Sequence, residues 1–158
     1  MNILKVKRSS LLLLAGCLLV PGAAWAREKR IKMKDLPAAV QKTVQEQSQG
    51  ATIRGLAKEV EEGKTFYEVE LMVNGHTKDV LIDPAGTVVE VEEAVTLASL
   101  PPAVKAEIEK QAGKRKILLV ESVTKGGTLV YYEAHVKAGM KKSEFKVGPD
   151  GNVIKEKK

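Results

Sequence analysis

Leu36-Pro37-Ala38-Ala39-Val40 recurs 64 residues later as Leu100-Pro101-Pro102-Ala103-Val104. Ile53 matches Ile117 at the same offset. After a slip of one residue, Phe66-Tyr67-Glu68-Val69 aligns with Tyr131-Tyr132-Glu133-Ala134. Asp83-Pro84-Ala85-Gly86-Thr87-Val88-Val89 then aligns with Gly148-Pro149-Asp150-Gly151-Asn152-Val153-Ile154. Matched stretches in one order mark an internal duplication, and a duplication fixes the architecture before any single element does. The copies run over 35–98 and 99–158.

Each copy opens on a helix. Asp35 and Ser99 are expected as N-caps, with Pro37 and Pro101 in the first turn. Leu36, Val40 and Val44 recur at i, i+4 and i+8, as do Leu100, Val104 and Ile108, so each helix has one apolar stripe. Gly50 and Gly113 stand where C-terminal glycines belong. Four strands follow, near 52–61, 64–73, 77–83 and 87–92, then near 116–124, 128–138, 141–147 and 152–156. Gly63, Asn74-Gly75, Pro84-Ala85-Gly86, Gly126-Gly127, Gly139 and Pro149-Asp150-Gly151 separate them as turns. The order α-β-β-β-β, twice, with short turns requires antiparallel neighbours. The fold class is α+β: antiparallel sheets with two helices packed on one face.

Alternation assigns the faces. Tyr67, Val69, Leu71 and Val73, with Tyr132, Ala134 and Val136, point toward the helices, joined by Val80, Ile82, Val89 and Val91. The opposite face carries Phe66, Glu68, Glu70 and Met72, and in the second copy Tyr131, Glu133, His135 and Lys137. Leu81 and Val88 are expected there too. Such a half-apolar, half-charged face suits an antiparallel sheet with one side free. These eight residues are the candidate partner-binding face, with Phe66 and Tyr131 as apolar anchors.

The ends speak to address. Lys5, Lys7 and Arg8 precede an apolar run from Ser9 to Val20, Pro21-Gly22 breaks it, and Ala24-Trp25-Ala26 offers a small-x-small cleavage site. Residues 1–26 read as a signal peptide cut after Ala26, and 27–34 as a basic linker, giving a periplasmic or secreted protein. Leu14-Ala15-Gly16-Cys17 also matches a lipobox, so a lipoprotein anchored through Cys17 is the alternative, and the only route to a membrane. Cys17 is the single cysteine. A chain cut after Ala26 has no disulfide, thiol nucleophile or cysteine metal site.

The formal net charge is +6, but the ends carry it. Residues 35–154 hold 15 basic and 18 acidic side chains, which argues against nucleic acid as partner. Residues 35–98 hold five basic and twelve acidic side chains, whereas 99–158 hold thirteen and seven. Opposite fields of this kind can steer a partner or favour head-to-tail self-association.

Catalytic and metal constellations are not expected. His76 and His135 lie in different copies and read as isolated surface histidines, short of the three or four clustered ligands of a zinc site. Asp83-Pro84-Ala85-Gly86 and Pro149-Asp150-Gly151 read as turns rather than calcium loops. Glu59, Glu61 and Glu62, with Glu90, Glu92 and Glu93, read as solvated charge near strand ends. No cofactor is expected.

Leu36-Pro37-Ala38-Ala39-Val40, Tyr67-Glu68-Val69-Glu70-Leu71 and Asp83-Pro84-Ala85-Gly86-Thr87-Val88, in that order and repeated, resemble the PepSY-like group, whose fold is akin to the β-lactamase inhibitor protein. The resemblance covers 35–93 well and 99–155 less well. The second copy has Gly148 where the first has Asp83, and Ala138-Gly139 where it has Val73-Asn74. It implies exported modules that bind or restrain proteases and other envelope proteins, and it supplies no catalytic residues. The reading is a non-enzymatic protein-binding module. The alternatives are an ion- or stress-responsive structural or sensory envelope protein and, last, a hydrolase.

Overall fold

The structure is a computed structural model that describes residues 29–61 and 63–155. The expected signal peptide, Ala26, Cys17 and Glu62 lie outside the described residues.

Nine strands form one antiparallel sheet in chain order: β1 (Lys29–Arg30), β2 (Thr52–Glu61), β3 (Lys64–Val73), β4 (His76–Ile82), β5 (Val88–Ala94), β6 (Lys116–Lys125), β7 (Thr128–Ala138), β8 (Lys141–Val147) and β9 (Val153–Ile154). Helix α1 (Ala38–Gln47) precedes β2, and α2 (Pro102–Ala112) precedes β6. The copies therefore share one sheet, joined where β5 pairs with β6 from Glu90↔Lys125 to Ala94↔Glu121.

Each helix starts two residues later than the expected caps suggest. Asp35 and Ser99 close short 3₁₀ turns, Met33–Asp35 and Leu97–Ser99, and the chain then extends through Leu36 and Leu100. Pro37 and Pro101 are the N-cap residues. Their missing N–H groups cost nothing at a helix start, where four donors lack partners anyway. The stripes bury as the periodicity requires. Leu36, Val40 and Val44 pack on Leu56, Val69, Leu71, Val80 and Ile82. Leu100, Val104 and Ile108 pack on Val120, Tyr132, Ala134 and Val147. Each fully buried aliphatic side chain contributes on the order of 1.5–3 kcal/mol.

Within the expected basic linker 27–34, Lys29 and Arg30 form the exposed edge strand β1, opposite Lys58 and Ala57. Ile31 and Met33 pack against the first core cluster and draw this segment in. One expectation needs correction: Val88 and Val89 exchange roles. The β4–β5 register shifts between Leu81 and Ile82, pairing Leu81 with Glu90 but Ile82 with Val88. Strict alternation fails across a bulge, so Val88 joins the core beside Val91.

Candidate functional site

The sheet face turned away from the helices carries a band of carboxylates. Cross-strand register places them side by side. One row runs Ala57, Glu68, Leu81, Glu90, Lys125 across β2 to β6. The next runs Gly55, Glu70, Asp79, Glu92, Val123, Tyr131. A third crosses the second copy through Ala94, Glu121, Glu133 and Lys146. Alternation by two holds every one of these side chains on the same side.

Their burial contradicts the expectation of solvated charge. Glu59, Glu61, Glu90 and Glu92 are buried, as are Glu68, Glu121 and Glu133. Glu90 is 1% exposed. Same-face cations stand over several of them. Arg30 lies 2.7 Å from Glu70, Lys125 3.0 Å from Glu90, and Lys146 3.6 Å from Glu133. Desolvating a carboxylate is costly unless it is paired, and the pairing is incomplete. Oε1 of Glu90 and Oε1 of Glu133 are buried without a hydrogen-bond partner. Burial holds the Glu133 carboxyl above the ordinary carboxylate range, against the opposing field of Lys146.

His135 is no isolated surface histidine. Its Nε2 lies 3.0 Å from Glu121 Oε2 and its Nδ1 3.7 Å from Glu144 Oε2. The Glu121 hydrogen bond raises the affinity of the ring for its second proton, against the effect of burial. His76 pairs with half-exposed Glu93 at 2.9 Å. Asp79, Glu92 and Glu121 bring carboxylate oxygens within 4.8 Å of one another. These three oxygen donors are the residues that could hold a hard divalent cation. The Asp83 turn is an Asx turn: its Oδ1 accepts from the N–H groups of Ala85 and Thr87.

The eight candidate residues all lie on this face, in β3 and β7, and they differ in access. Phe66, Glu70, Met72, Tyr131, His135 and Lys137 are partly exposed, whereas Glu68 and Glu133 are buried. The Tyr131 ring has Lys146 Nζ 4.8 Å and Lys125 Nζ 5.9 Å from its centroid, in cation–π geometry. Asp79, Glu90, Glu92, Glu121, Glu144, Lys125 and Lys146 were missed as members of the face. Parity within each strand was a usable signal, since Glu90 and Glu92 are two apart. What it lacked was the β5–β6 pairing that joins the copies.

Among the described residues no helix is long and apolar enough to cross a membrane. No curated protein matches the chain. Solved structures share the fold. A DUF2874 family protein from Bacteroides ovatus is 22% identical, with TM-score 0.60, covering 76% of this chain and 85% of that one. A candidate periplasmic protein from Bacteroides eggerthii is 19% identical, with TM-score 0.63, covering 76% and 86%. A BLIP-like protein from Bacteroides fragilis is 21% identical, with TM-score 0.56, covering 77% and 85%. The family model described as beta-lactamase-inhibitor-like, PepSY-like matches twice, over residues 23–89 and 66–155. With both copies matched and the sheet-and-helix architecture shared, the chain belongs to the beta-lactamase-inhibitor-like, PepSY-like family.

Proposed function

We propose that the chain is an exported, non-enzymatic protein-binding module that engages an envelope protein through the sheet face opposite its helices. One observation carries the reading. On that face carboxylates outnumber the cations Arg30, Lys116, Lys125, Lys137, Lys142 and Lys146, and the carboxylates of Glu70 and Glu144 are partly exposed. A partner side chain bearing an ammonium or guanidinium group gains charge-assisted hydrogen bonds there. Phe66 and Met72 frame the band with partly exposed apolar surface. The BLIP-like fold of the structural relatives supports a binding role, and a protease is one class of partner that role allows. The test is the affinity of the purified chain for a partner first captured by crosslinking in the envelope. Phe66→Ala with Glu70→Gln should weaken binding at least tenfold, and added salt should weaken it further. Unchanged affinity in the double variant refutes the face.

The Asp79–Glu92–Glu121 cluster favours a second reading, a cation-responsive envelope protein. Calcium that raises the melting temperature of the native chain, but not of Glu92→Gln, would support it. Equal response of both rules it out.

A further inference from the structure

The far end of the second copy has the opposite character. Lys116 stands directly opposite Lys137 in the β6–β7 register, and Lys137 directly opposite Lys142 in the β7–β8 register. Three lysines thus lie side by side across three strands. Like charges placed directly opposite one another destabilise a sheet. The first copy shows that the fold does not require them. At the matching register positions it carries Thr52, Met72 and Thr77. Lys141, next to the β7–β8 turn, and Lys114, in the turn between α2 and β6, add to the cluster. Lys114, Lys116, Lys141 and Lys142 are exposed, and none of the five lysines forms an ion pair with a described carboxylate.

The turn they surround is Gly139-Met140. Gly139 takes φ +59°, as the first position of a tight hairpin turn allows. The second position makes no demand for a large apolar residue, yet it holds Met140, 93% exposed. The matching turn of the first copy is Asn74-Gly75, at φ +48° and +88°, the ordinary polar solution.

We propose that this end of the sheet docks on an anionic phospholipid surface, with Lys114, Lys116, Lys137, Lys141 and Lys142 against the headgroup phosphates and Met140 entering the interface. An apolar apex ringed by lysines that pair with no described carboxylate fits a membrane, whose surface offers negative charge outside and hydrocarbon beneath. It fits a nucleic acid less well. Single strands are held by aromatic stacking, and Phe145, the aromatic of β8, packs into the second core cluster under Arg115. This inference is independent of the protein-binding reading and shares only Lys137 with it.

The experiment is cosedimentation with phosphatidylglycerol-containing vesicles and with pure phosphatidylcholine vesicles at low salt. It uses the chain from Arg27 onward, which retains every described element. Binding is expected to the anionic vesicles alone. Lys116→Thr/Lys137→Met/Lys142→Thr, which installs the residues of the first copy, should weaken it by on the order of a hundredfold, roughly fivefold per lysine. Removing three exposed lysines elsewhere, Lys34→Thr/Lys42→Thr/Lys64→Thr, should cost much less. Met140→Ser should weaken vesicle binding severalfold while leaving the affinity for soluble polyphosphate unchanged. The proposal is overturned by absence of binding to anionic vesicles, by equal losses in the two triple variants, or by a Met140→Ser chain that binds vesicles as the native chain does. Circular dichroism confirms that each variant is folded.

Discussion

His135 Nε2 lies 3.0 Å from Glu121 Oε2, a contact between adjacent strands two residues out of direct register. On the other side of the ring, Nδ1 lies 3.7 Å from Glu144 of β8. A protonated imidazole therefore ties β6, β7 and β8 together on the face opposite the helices, where a neutral one can donate through only one nitrogen.

That arrangement sets a pH dependence. Hydrogen bonding to Glu121, opposed by burial and reinforced by the fields of Glu121, Glu133 and Glu144, raises the His135 pKa from 6.5. Burial, opposed by Lys146, raises that of Glu133 from 4.5. Both groups hold a proton more tightly folded than unfolded, so stability falls as pH rises. The contribution of Glu133 is complete below 4.5 and is lost above it as pH passes its folded pKa; that of His135 is complete below 6.5 and is lost in the same way above it. Glu107 and Asp150 have the opposite sign. Hydrogen bonds, from Gln111 and Asn152 respectively, lower their pKa values, so their contributions are complete above 4.5 and 3.8 and are lost as pH falls below these values. Melting temperature is expected to lose the Glu133 contribution above pH 4.5 and the His135 contribution above pH 6.5, and His135→Gln should remove the second of these slopes. The gap between native and variant should narrow with rising pH. Parallel curves would show that His135 is not the titrating group.

The second prediction concerns the buried pair Glu90–Lys125, 3.0 Å apart with Glu90 1% exposed. The pair also spans the junction between the copies, since Glu90 of β5 opposes Lys125 of β6. Lys125→Met leaves a desolvated carboxylate without its cation and should cost about 3–5 kcal/mol. Adding Glu90→Gln removes the stranded charge and should recover most of the loss, because replacing a whole buried pair is far cheaper than breaking it. Urea titrations of the four chains of this cycle measure the coupling. If the double variant is no more stable than Lys125→Met alone, the ion pair is not what holds this junction.

The same pair shows what was legible in the sequence. Strand positions were: β2, β3, β7 and β8 fall where turn glycines and alternation put them, and the duplication gave the helix order. The strands of the two copies could be listed but not joined, because pairing of β5 with β6 depends on contacts across the 3₁₀ turn and α2, a separation no local period reports. Without that junction Glu90 and Glu92 looked like charge at a strand end. With it they lie mid-sheet beside Lys125 and Val123. The exchange of Val88 for Val89 has a related cause, since one bulged residue reverses the faces on its far side, here that of Val88, while Val91 keeps its expected face. Phe66 and Tyr131 were placed on the correct side by parity alone. The two lysines over Tyr131 come from β6 and β8 and were visible only in three dimensions.

The copies also differ where each helix meets its last turn. Gly86 has φ +88°, and a Cβ there would lie 2.8 Å from the Ala39 carbonyl oxygen and 3.0 Å from its carbon. Gly151 has φ +82°, and a Cβ there would lie 3.0 Å from the Ala103 Cβ and 3.2 Å from its backbone. Left-handed backbone costs an alanine about 1–2 kcal/mol at either site. The steric part differs. At Gly86 a backbone carbonyl must yield, and that shift disturbs the bond in which Thr43 Oγ1 donates to Gly86 O at 2.6 Å. The second copy has Glu107 at the position matching Thr43, so it has no such hydroxyl to displace. Gly86→Ala is therefore expected to cost about 3 kcal/mol or more, with overpacking added to backbone strain, and Gly151→Ala about 1–2 kcal/mol. Thr43→Val should cost roughly 1 kcal/mol in the native chain and less in Gly86→Ala, because the bond it removes is already weakened there. Denaturant midpoints of these chains provide the measurement. Equal losses at Gly86 and Gly151 would mean that helix α1 shifts freely on the sheet and that the two copies are packed alike.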